Sequence, residues 1–328
     1  QPKLEVLIEQ DPENLELRAT LAQMRLLIGD LYWLRQEHSH AEAEFREALV
    51  QLNCAIVKDA HSTRWLLMHL MILQRLAEFE RSKGELDRAF EILGIARNAI
   101  SKAIKENVHA KKLRQFFVAI NTRMSDCAFD NGKTSIGMEV QKQTLQQATE
   151  YQKERPDSMP WLTLLCRIQT HASRHCLSLG LMQESRALWE QAIASLNHQC
   201  TLHPENIEIA DFLVQAQLLK VEWLCQLGDL EEAYRIALIL ITQIQVTQKN
   251  ISDAETRQSL LCECLEHFSF CCHHLQKTQQ ELSALNELQR IRSGLLKADP
   301  DSVPLKTKNY ELLVAMARNA LKTGSMHR

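Results

Sequence analysis

The glycines of this 328-residue chain recur at a fixed interval, and that interval limits the possible folds more than any other feature. Five of the nine glycines share one phase of a 48-residue period, and Gln36 and Gln276 occupy the two positions of the series that lack glycine. The glycines are Gly84, Gly132, Gly180, Gly228 and Gly324. Four of the seven prolines lie 24 residues before one of these turn positions: Pro12, Pro156, Pro204 and Pro300. Such a period is typical of a repeat array, in which each unit packs on its neighbours.

Each 48-residue unit predicts two long helices. A unit opens with a proline and helix-capping side chains, as in His203-Pro204-Glu205-Asn206, and these residues suit the start of a helix. About 20 residues of helical periodicity follow, and the glycine then permits a tight turn with positive φ. Five residues after the turn position a small side chain recurs, which lets the two helices approach closely: Ala41, Ala89, Gly137, Ser185 and Ala233.

Composition agrees with a purely helical protein. Glycine and proline together make up 16 of 328 residues, about 5% against roughly 12% in average usage. A sheet protein needs more turn-forming residues than this. Hydrophobic residues are 45% of the chain, enough for a continuous core. We therefore predict an all-α fold, a right-handed superhelical solenoid of antiparallel helix pairs.

At two places the sequence resembles the tetratricopeptide repeat (TPR) family. The first is Ile28-Gly29-Asp30-Leu31-Tyr32 followed by Ala41-Glu42-Ala43-Glu44-Phe45-Arg46-Glu47-Ala48-Leu49, and the second is Leu227-Gly228-Asp229-Leu230-Glu231-Glu232-Ala233-Tyr234. The usual repeat has 34 residues, so this chain is closer to a long 48-residue variant. It resembles the repeats attached to bacterial kinase, caspase-like or nucleotide-switch signalling proteins. The resemblance implies a scaffold for protein interaction.

The phase of the repeat also predicts the domain organisation. Residues 1–10 look like the end of a preceding helix, and residues 11–299 hold six TPR-like helix pairs of about 48 residues. Residues 300–328 are expected to form a C-terminal capping helix and a tail. Because the chain does not begin with Met, we expect a further repeat or a different domain upstream, such as a kinase or protease.

Charge and hydropathy exclude several classes of function. The net charge is −3, whereas a nucleic-acid binder usually carries a basic excess. No apolar run approaches the 18 or so residues of a membrane span, and the start of the chain does not read as a signal peptide. Ten cysteines without paired spacing are typical of a reducing compartment, so we predict a cytoplasmic protein. No catalytic set and no cofactor site emerges, and no metal site is assigned.

In TPR arrays the first helix of each pair lines a concave groove, so the resemblance implies a partner-binding surface there. Carried onto this sequence, it selects six basic side chains: Arg75, Arg81, Arg123, Arg167, His171 and Arg174. Guanidinium groups bind carboxylates well, so the expected partner is a protein or peptide of acidic character. The later part of the groove is expected to be acidic and apolar, and it includes Leu218, Leu219, Glu222, Glu263 and Phe270.

Two alternatives remain open. Arg75–Glu78 and Arg123–Asp126 are i,i+3 pairs, which neutralise each other on a helix face. The second alternative is a metal-dependent enzyme or redox protein that uses a cluster between Cys262 and His274. One straight helix cannot wrap four ligands around zinc. At most an adjacent pair such as His267 and Cys271 can bind, with help from another repeat. The free-thiol interpretation is that these cysteines pack as small hydrophobes.

Overall fold

The turn positions adopt the left-handed backbone in the computed structural model, whether or not they hold glycine. At the glycines φ is +82° (Gly84), +69° (Gly132), +74° (Gly180) and +83° (Gly228). At the glutamines it is +61° (Gln36) and +57° (Gln276). The structure describes residues 2–11, 13–58, 62–106, 111–247, 254–298 and 303–323. Gly324, Pro12 and Pro300 lie outside these ranges. The 48-residue period is therefore a period of backbone conformation.

Fourteen helices and no strand occur in the described ranges. Most are 20 or 21 residues long, which is the length that the repeat predicts. They are α1 (Pro2–Gln10), α2 (Leu15–Leu34), α3 (His38–Lys58), α4 (Thr63–Ser82), α5 (Leu86–Glu106), α6 (Lys111–Asp130), α7 (Thr134–Glu154), α8 (Met159–Ser178), α9 (Met182–Leu202), α10 (Ile207–Leu227), α11 (Leu230–Thr247), α12 (Ala254–His274), α13 (Thr278–Ala298) and α14 (Val303–Thr323).

Three first helices begin at side chains that cap them and that follow the same period, whereas Ser158 before α8 holds the same phase and accepts no capping hydrogen bond. The side-chain oxygen of Asn14 accepts a hydrogen bond from the backbone N–H of Leu17 at 3.1 Å. Ser62 caps α4 and Asn206 caps α10 in the same way. These side chains satisfy backbone donors that a helix start leaves free. The predicted opening of each unit by a capping residue is confirmed at these positions.

The chain divides into two compact units, Gln1–Glu154 and Arg155–Arg328. In the first unit α2 to α7 form three helix pairs, and α4 packs against both α2 and α6. In the second unit α8 to α13 form three pairs, α10 packs against both α8 and α12, and α14 packs on α13. The predicted all-α class and the antiparallel helix pairs are confirmed. The division into residues 1–10, 11–299 and 300–328 stays a prediction.

The small residues five positions after each turn lie where two helices meet. Ala41, Ala89, Ser185 and Ala233 have no exposed surface, and Gly137 is buried as well. A Cβ atom on Gly137 would lie 2.9 Å from the ring of Phe129, closer than real Cβ contacts come. A small side chain is therefore required there by close approach of the helices.

Candidate functional site

The first helices of the first unit carry a chain of ion pairs. Nε of Arg75 lies 2.8 Å from Oδ1 of Asp30 on the preceding first helix, and Nη1 lies 3.0 Å from Oε2 of Glu78. The other oxygen of Glu78 lies 2.8 Å from Nη2 of Arg123 on the next first helix. Burial alone would lower the pKa of Arg75, but Glu78 and Asp30 outweigh it and hold that pKa above its usual value. The i,i+3 pair Arg75–Glu78 expected from sequence is present.

Arg81 is paired in the same manner. Its Nη2 lies 2.6 Å from Oδ2 of Asp130, one repeat further along the chain. All three arginines predicted in the first unit thus contact carboxylates of this chain. A partner carboxylate has to compete with Asp30, Glu78 or Asp130 for them.

The three residues predicted in the second unit lie together on one face of α8 and line a cavity. Arg167, His171 and Arg174 are spaced i, i+4 and i+7, which places them on one side of a helix. The cavity has a volume of about 300 Å³ and reaches across α10 to α12. Its other lining residues are Thr170, Gln215, Ser259, Leu260 and Glu263. The structure therefore brings half of the predicted basic set to one concave feature.

The guanidinium groups at this cavity are held in different ways. Arg167 lies over the ring of Phe212, 5.5 Å from its centroid, which is a cation–π contact that leaves its N–H donors available. Arg174 is more than half exposed, and its Nη2 lies 3.6 Å from Oε1 of Glu222, longer than a direct hydrogen bond. Neither arginine is fixed as tightly as Arg75 or Arg81. Both are free to turn toward an anion in the cavity.

The two carboxyl groups beside this cavity are shifted in opposite directions. Burial alone would raise the pKa of Glu222, but the hydrogen bond with His267 and the charge of Arg174 hold it below its usual range. Burial raises the pKa of Glu263, and the attraction of Arg174 offsets this only in part. Glu263 therefore places a carboxyl group of raised pKa in the same cavity as Arg167 and Arg174.

A second cavity of about 420 Å³ lies between α12, α13 and α14. Its floor is apolar, with Leu285, Leu288 and Leu312, and Phe270 is exposed at its edge. Buried Arg292 crosses its base and binds Glu266. Its charged lining is mixed, with Glu266, Glu281 and Glu311 beside Arg292 and Arg318, so the acidic and apolar character expected of the later groove stays a prediction.

The prediction for the later part of the groove is wrong at two residues. Leu218 and Leu219 are buried in the core of the second unit rather than exposed on the first-helix face. Because α10 packs on α8 and on α12 as well as on its own partner α11, its apolar stripe is wider than that of a helix with one neighbour. Sequence periodicity alone does not reveal this widening.

The cysteine and histidine cluster of α12 is split between core and surface. Cys262, Cys264 and Cys272 are buried in the core, and burial raises their thiol pKa to about 11, about 12 and about 12, respectively. His273 lies 2.9 Å from Glu281 of α13, through Nδ1. His267 lies 3.5 Å from Glu222 of α10, through Nε2. The side chains of the cluster therefore engage different neighbours.

Among the residues that the structure describes, every helix is either too short or too polar to span a lipid bilayer.

Comparison with solved structures agrees with this architecture. The fold is similar to that of BtubC (BKLC) from P. vanneervenii, with a TM-score of 0.59, 10% identity and coverage of 77% of this chain and 90% of that chain. It is also similar to the apo form of RapI, with a TM-score of 0.56, 12% identity and coverage of 93% and 72%. A tetratricopeptide repeat protein from Parabacteroides merdae ATCC 43184 aligns over 94% of both chains at the lower TM-score of 0.41 and 11% identity.

No protein-family profile matches the chain, and no curated protein matches it in sequence. The likeness to solved structures shows the fold alone, because identity is low throughout. That fold is a TPR-like array of helix pairs, as the resemblance at residues 28–49 and 227–234 implies.

Proposed function

We propose that this chain is a non-catalytic protein-interaction scaffold that binds an acidic peptide segment at the cavity between α8 and α12. The observation that carries the proposal is the convergence of Arg167, His171 and Arg174 on one 300 Å³ cavity. Several guanidinium groups around a concave surface attract carboxylates, and the low-dielectric walls strengthen the attraction. A charge-assisted hydrogen bond at such a site contributes about 1.5–3 kcal/mol.

Arg75, Arg81 and Arg123 belong to the proposal as secondary contacts. Each is already paired within the chain, so an incoming carboxylate gains less there than at Arg167 or Arg174. A uniform basic surface would not produce this difference between the five arginines.

The wider setting is also part of the proposal. We propose that the chain acts in the cytoplasm as the C-terminal sensor or docking region of a larger signalling protein. Its ten cysteines are all free thiols, which fits a reducing compartment. Its net charge of −3 supports a protein partner over nucleic acid.

A direct binding measurement tests the cavity. The probe is a fluorescent Glu- and Asp-rich decapeptide, compared with a peptide in which Gln and Asn replace the acids. We expect the acidic peptide to bind and the Gln and Asn peptide not to bind, and we expect the affinity for the acidic peptide to fall as salt is added. Replacement of Arg167 and Arg174 by Glu should weaken binding at least tenfold.

The matched control reverses two exposed arginines on second helices, Arg235→Glu and Arg290→Glu. These two substitutions alter the net charge by the same amount as the Arg167 and Arg174 pair does, but the two arginines do not line the cavity. If the control pair weakens binding as much as the Arg167 and Arg174 pair, the peptide responds to net charge only, and the cavity is not its site. Equal binding of both peptides would contradict the acidic character of the partner.

A further inference from the structure

Two thiols from neighbouring repeats touch in the second unit. Sγ of Cys225 on α10 lies 3.7 Å from Sγ of Cys271 on α12. Two sulfur atoms bound tetrahedrally to one zinc ion, each at about 2.3 Å, lie about 3.8 Å apart. The pair therefore needs little rearrangement to hold a metal ion.

A second pair of metal-binding side chains lies one helical turn away on the same two helices. Glu222 is three residues before Cys225, and His267 is four residues before Cys271. Both spacings keep the side chains on one helix face. Oε1 of Glu222 lies 3.5 Å from Nε2 of His267, so this second pair also joins α10 to α12.

The burial of these residues suits a metal site better than simple core packing. Cys271 has no exposed surface, whereas Cys225 is only partly buried, and Glu222 and His267 keep about a quarter of their side-chain surface exposed. The partly open side gives an ion and its displaced protons a path to solvent.

We propose that Cys225, Cys271, His267 and Glu222 form a site for a divalent metal ion of the zinc class. Two thiolates, an imidazole and a carboxylate are donors that zinc accepts in tetrahedral geometry. Each thiol releases its proton to solvent as its metal–sulfur bond forms. The four donor atoms do not all lie within 4.8 Å of one another, so the imidazole and the carboxylate, each one helical turn from a thiol, would turn about their own side-chain torsions to complete the ligand set.

The proposed site does not require α12 to bind the metal ion by itself. One helix cannot place four ligands around one ion, but here α10 and α12 supply two each. A bound ion would join two adjacent repeats directly beside Arg174, which contacts Glu222. The proposal does not depend on peptide binding, because its ligands differ from the residues that bind the acidic peptide.

Titration of the full reduced chain with Co²⁺ tests the site. Tetrahedral cobalt bound by thiolates gives intense visible bands and a near-ultraviolet thiolate charge-transfer band. We expect both, with one ion per chain and displacement by Zn²⁺. Cys225→Ser and Cys271→Ser should each lower the thiolate charge-transfer intensity, because one of the two thiolates is lost, or weaken binding at least tenfold.

Two further variants keep the outcome clear. Cys262→Ser is the matched control, because Cys262 is a buried cysteine of the same helix, and it should bind Co²⁺ as the unaltered chain does. His267→Gln, on the more exposed side, tests the third ligand without disturbing the core, and it should weaken binding about tenfold or more. Absence of thiolate bands in the reduced chain would overturn the proposal. So would bands that survive unchanged in Cys225→Ser and Cys271→Ser.

Discussion

Nδ1 of His273 lies 2.9 Å from Oε1 of Glu281, at the one described repeat where a small residue is replaced by a large one. Glu281 stands five residues after the turn position Gln276, where other repeats have Ala, Gly or Ser. Its side chain is almost wholly buried, whereas His273 is partly exposed. The carboxylate is therefore tolerated between the helices because the histidine satisfies it.

This asymmetry predicts unequal effects of removing the two partners. His273→Ala should destabilise the chain by about 1–3 kcal/mol, because it takes away a partner of a buried carboxylate. Glu281→Ala should cost less, since it restores the small residue of the other repeats and leaves a histidine that water can reach. Chemical denaturation of both variants and of the double variant measures this. A double variant no more stable than His273→Ala alone would contradict the explanation.

The left-handed backbone at the turn positions predicts that a change to glycine raises the stability of the chain and that a change from glycine lowers it. Gln36→Gly and Gln276→Gly should each stabilise the chain by about 1 kcal/mol, because a non-glycine residue at positive φ is strained. Gly180→Ala should destabilise it by a similar amount. Gly94→Ala is the control, since Gly94 lies within α5 with open space around it, and it should stabilise slightly. Denaturation midpoints that move the same way for Gly94→Ala and Gly180→Ala would exclude a role for φ.

Close approach of α10 and α11 predicts that Ala233 does not tolerate a larger side chain. Ala233 has no exposed surface and lies within the core of the second unit. Ala233→Leu should overpack the pair and cost about 1–3 kcal/mol. Ala43→Leu makes the same change at an exposed position and should be nearly neutral. A thermal unfolding midpoint unaffected by Ala233→Leu would show that the helix contact is looser than the structure has it.

The burial of His69 predicts that the folded chain loses stability in mild acid. Burial holds the pKa of His69 below its usual value of about 6.5, so the folded chain takes up its proton at lower pH than the unfolded chain. The unfolded state then binds more protons as pH falls below about 6.5, and the free energy of unfolding decreases. Above that pH His69 is neutral in both states and the effect vanishes.

The control for this pH dependence is His69→Leu, which removes the titrating group and should flatten the decrease between about pH 6.5 and 5. Free energies of unfolding at several pH values give the slopes of the unaltered chain and of this variant. A slope equally steep in His69→Leu would assign the effect to other groups.

The ion pairs of the first unit predict a measurable coupling between Arg123 and Glu78. In a double-mutant cycle to Ala we expect about 0.5–1 kcal/mol, because both side chains are about one-third exposed. The coupling should shrink in high salt. Arg186–Glu190, an exposed i,i+4 pair on α9, should give a smaller value. A zero coupling would mean that the ion pair with Glu78 does not hold Arg123 in place.

Much of the fold can be predicted from the sequence, because a pattern that is clear in one repeat indicates the structure of the equivalent residues in the other repeats. The left-handed backbone at Gln36 and Gln276 is predictable only from the phase of the glycines elsewhere, since glutamine has no preference for it. The ion pairs were harder to foresee. Arg75 meets Asp30 and Arg123 meets Glu78, each 45 residues apart, and a search along one helix finds only neighbours three or four residues away.

The site was predictable in part for the same reason. The i, i+4, i+7 spacing of Arg167, His171 and Arg174 indicates a shared helix face, and the structure adds a cavity that no local pattern reveals. The contact between Cys225 and Cys271 joins two repeats. Its 46-residue separation differs from the period by two, so the two cysteines do not occupy equivalent positions. Only the packing of α10 against α12 brings them together.

The left-handed backbone shared by successive turn positions makes this protein modular at the level of its gene. Gly84 and Gly132 both have a left-handed φ, +82° and +69°, so excision of residues 85–132 would join two equivalent points of the chain. It would remove one 48-residue repeat length, the second helix α5 and the first helix α6, and leave α4 to pair with α7. Duplication of the same segment would insert one such length. Such an array can change length by recombination in whole units without a new linker having to evolve, and each added unit brings a fresh first-helix surface on which selection can act.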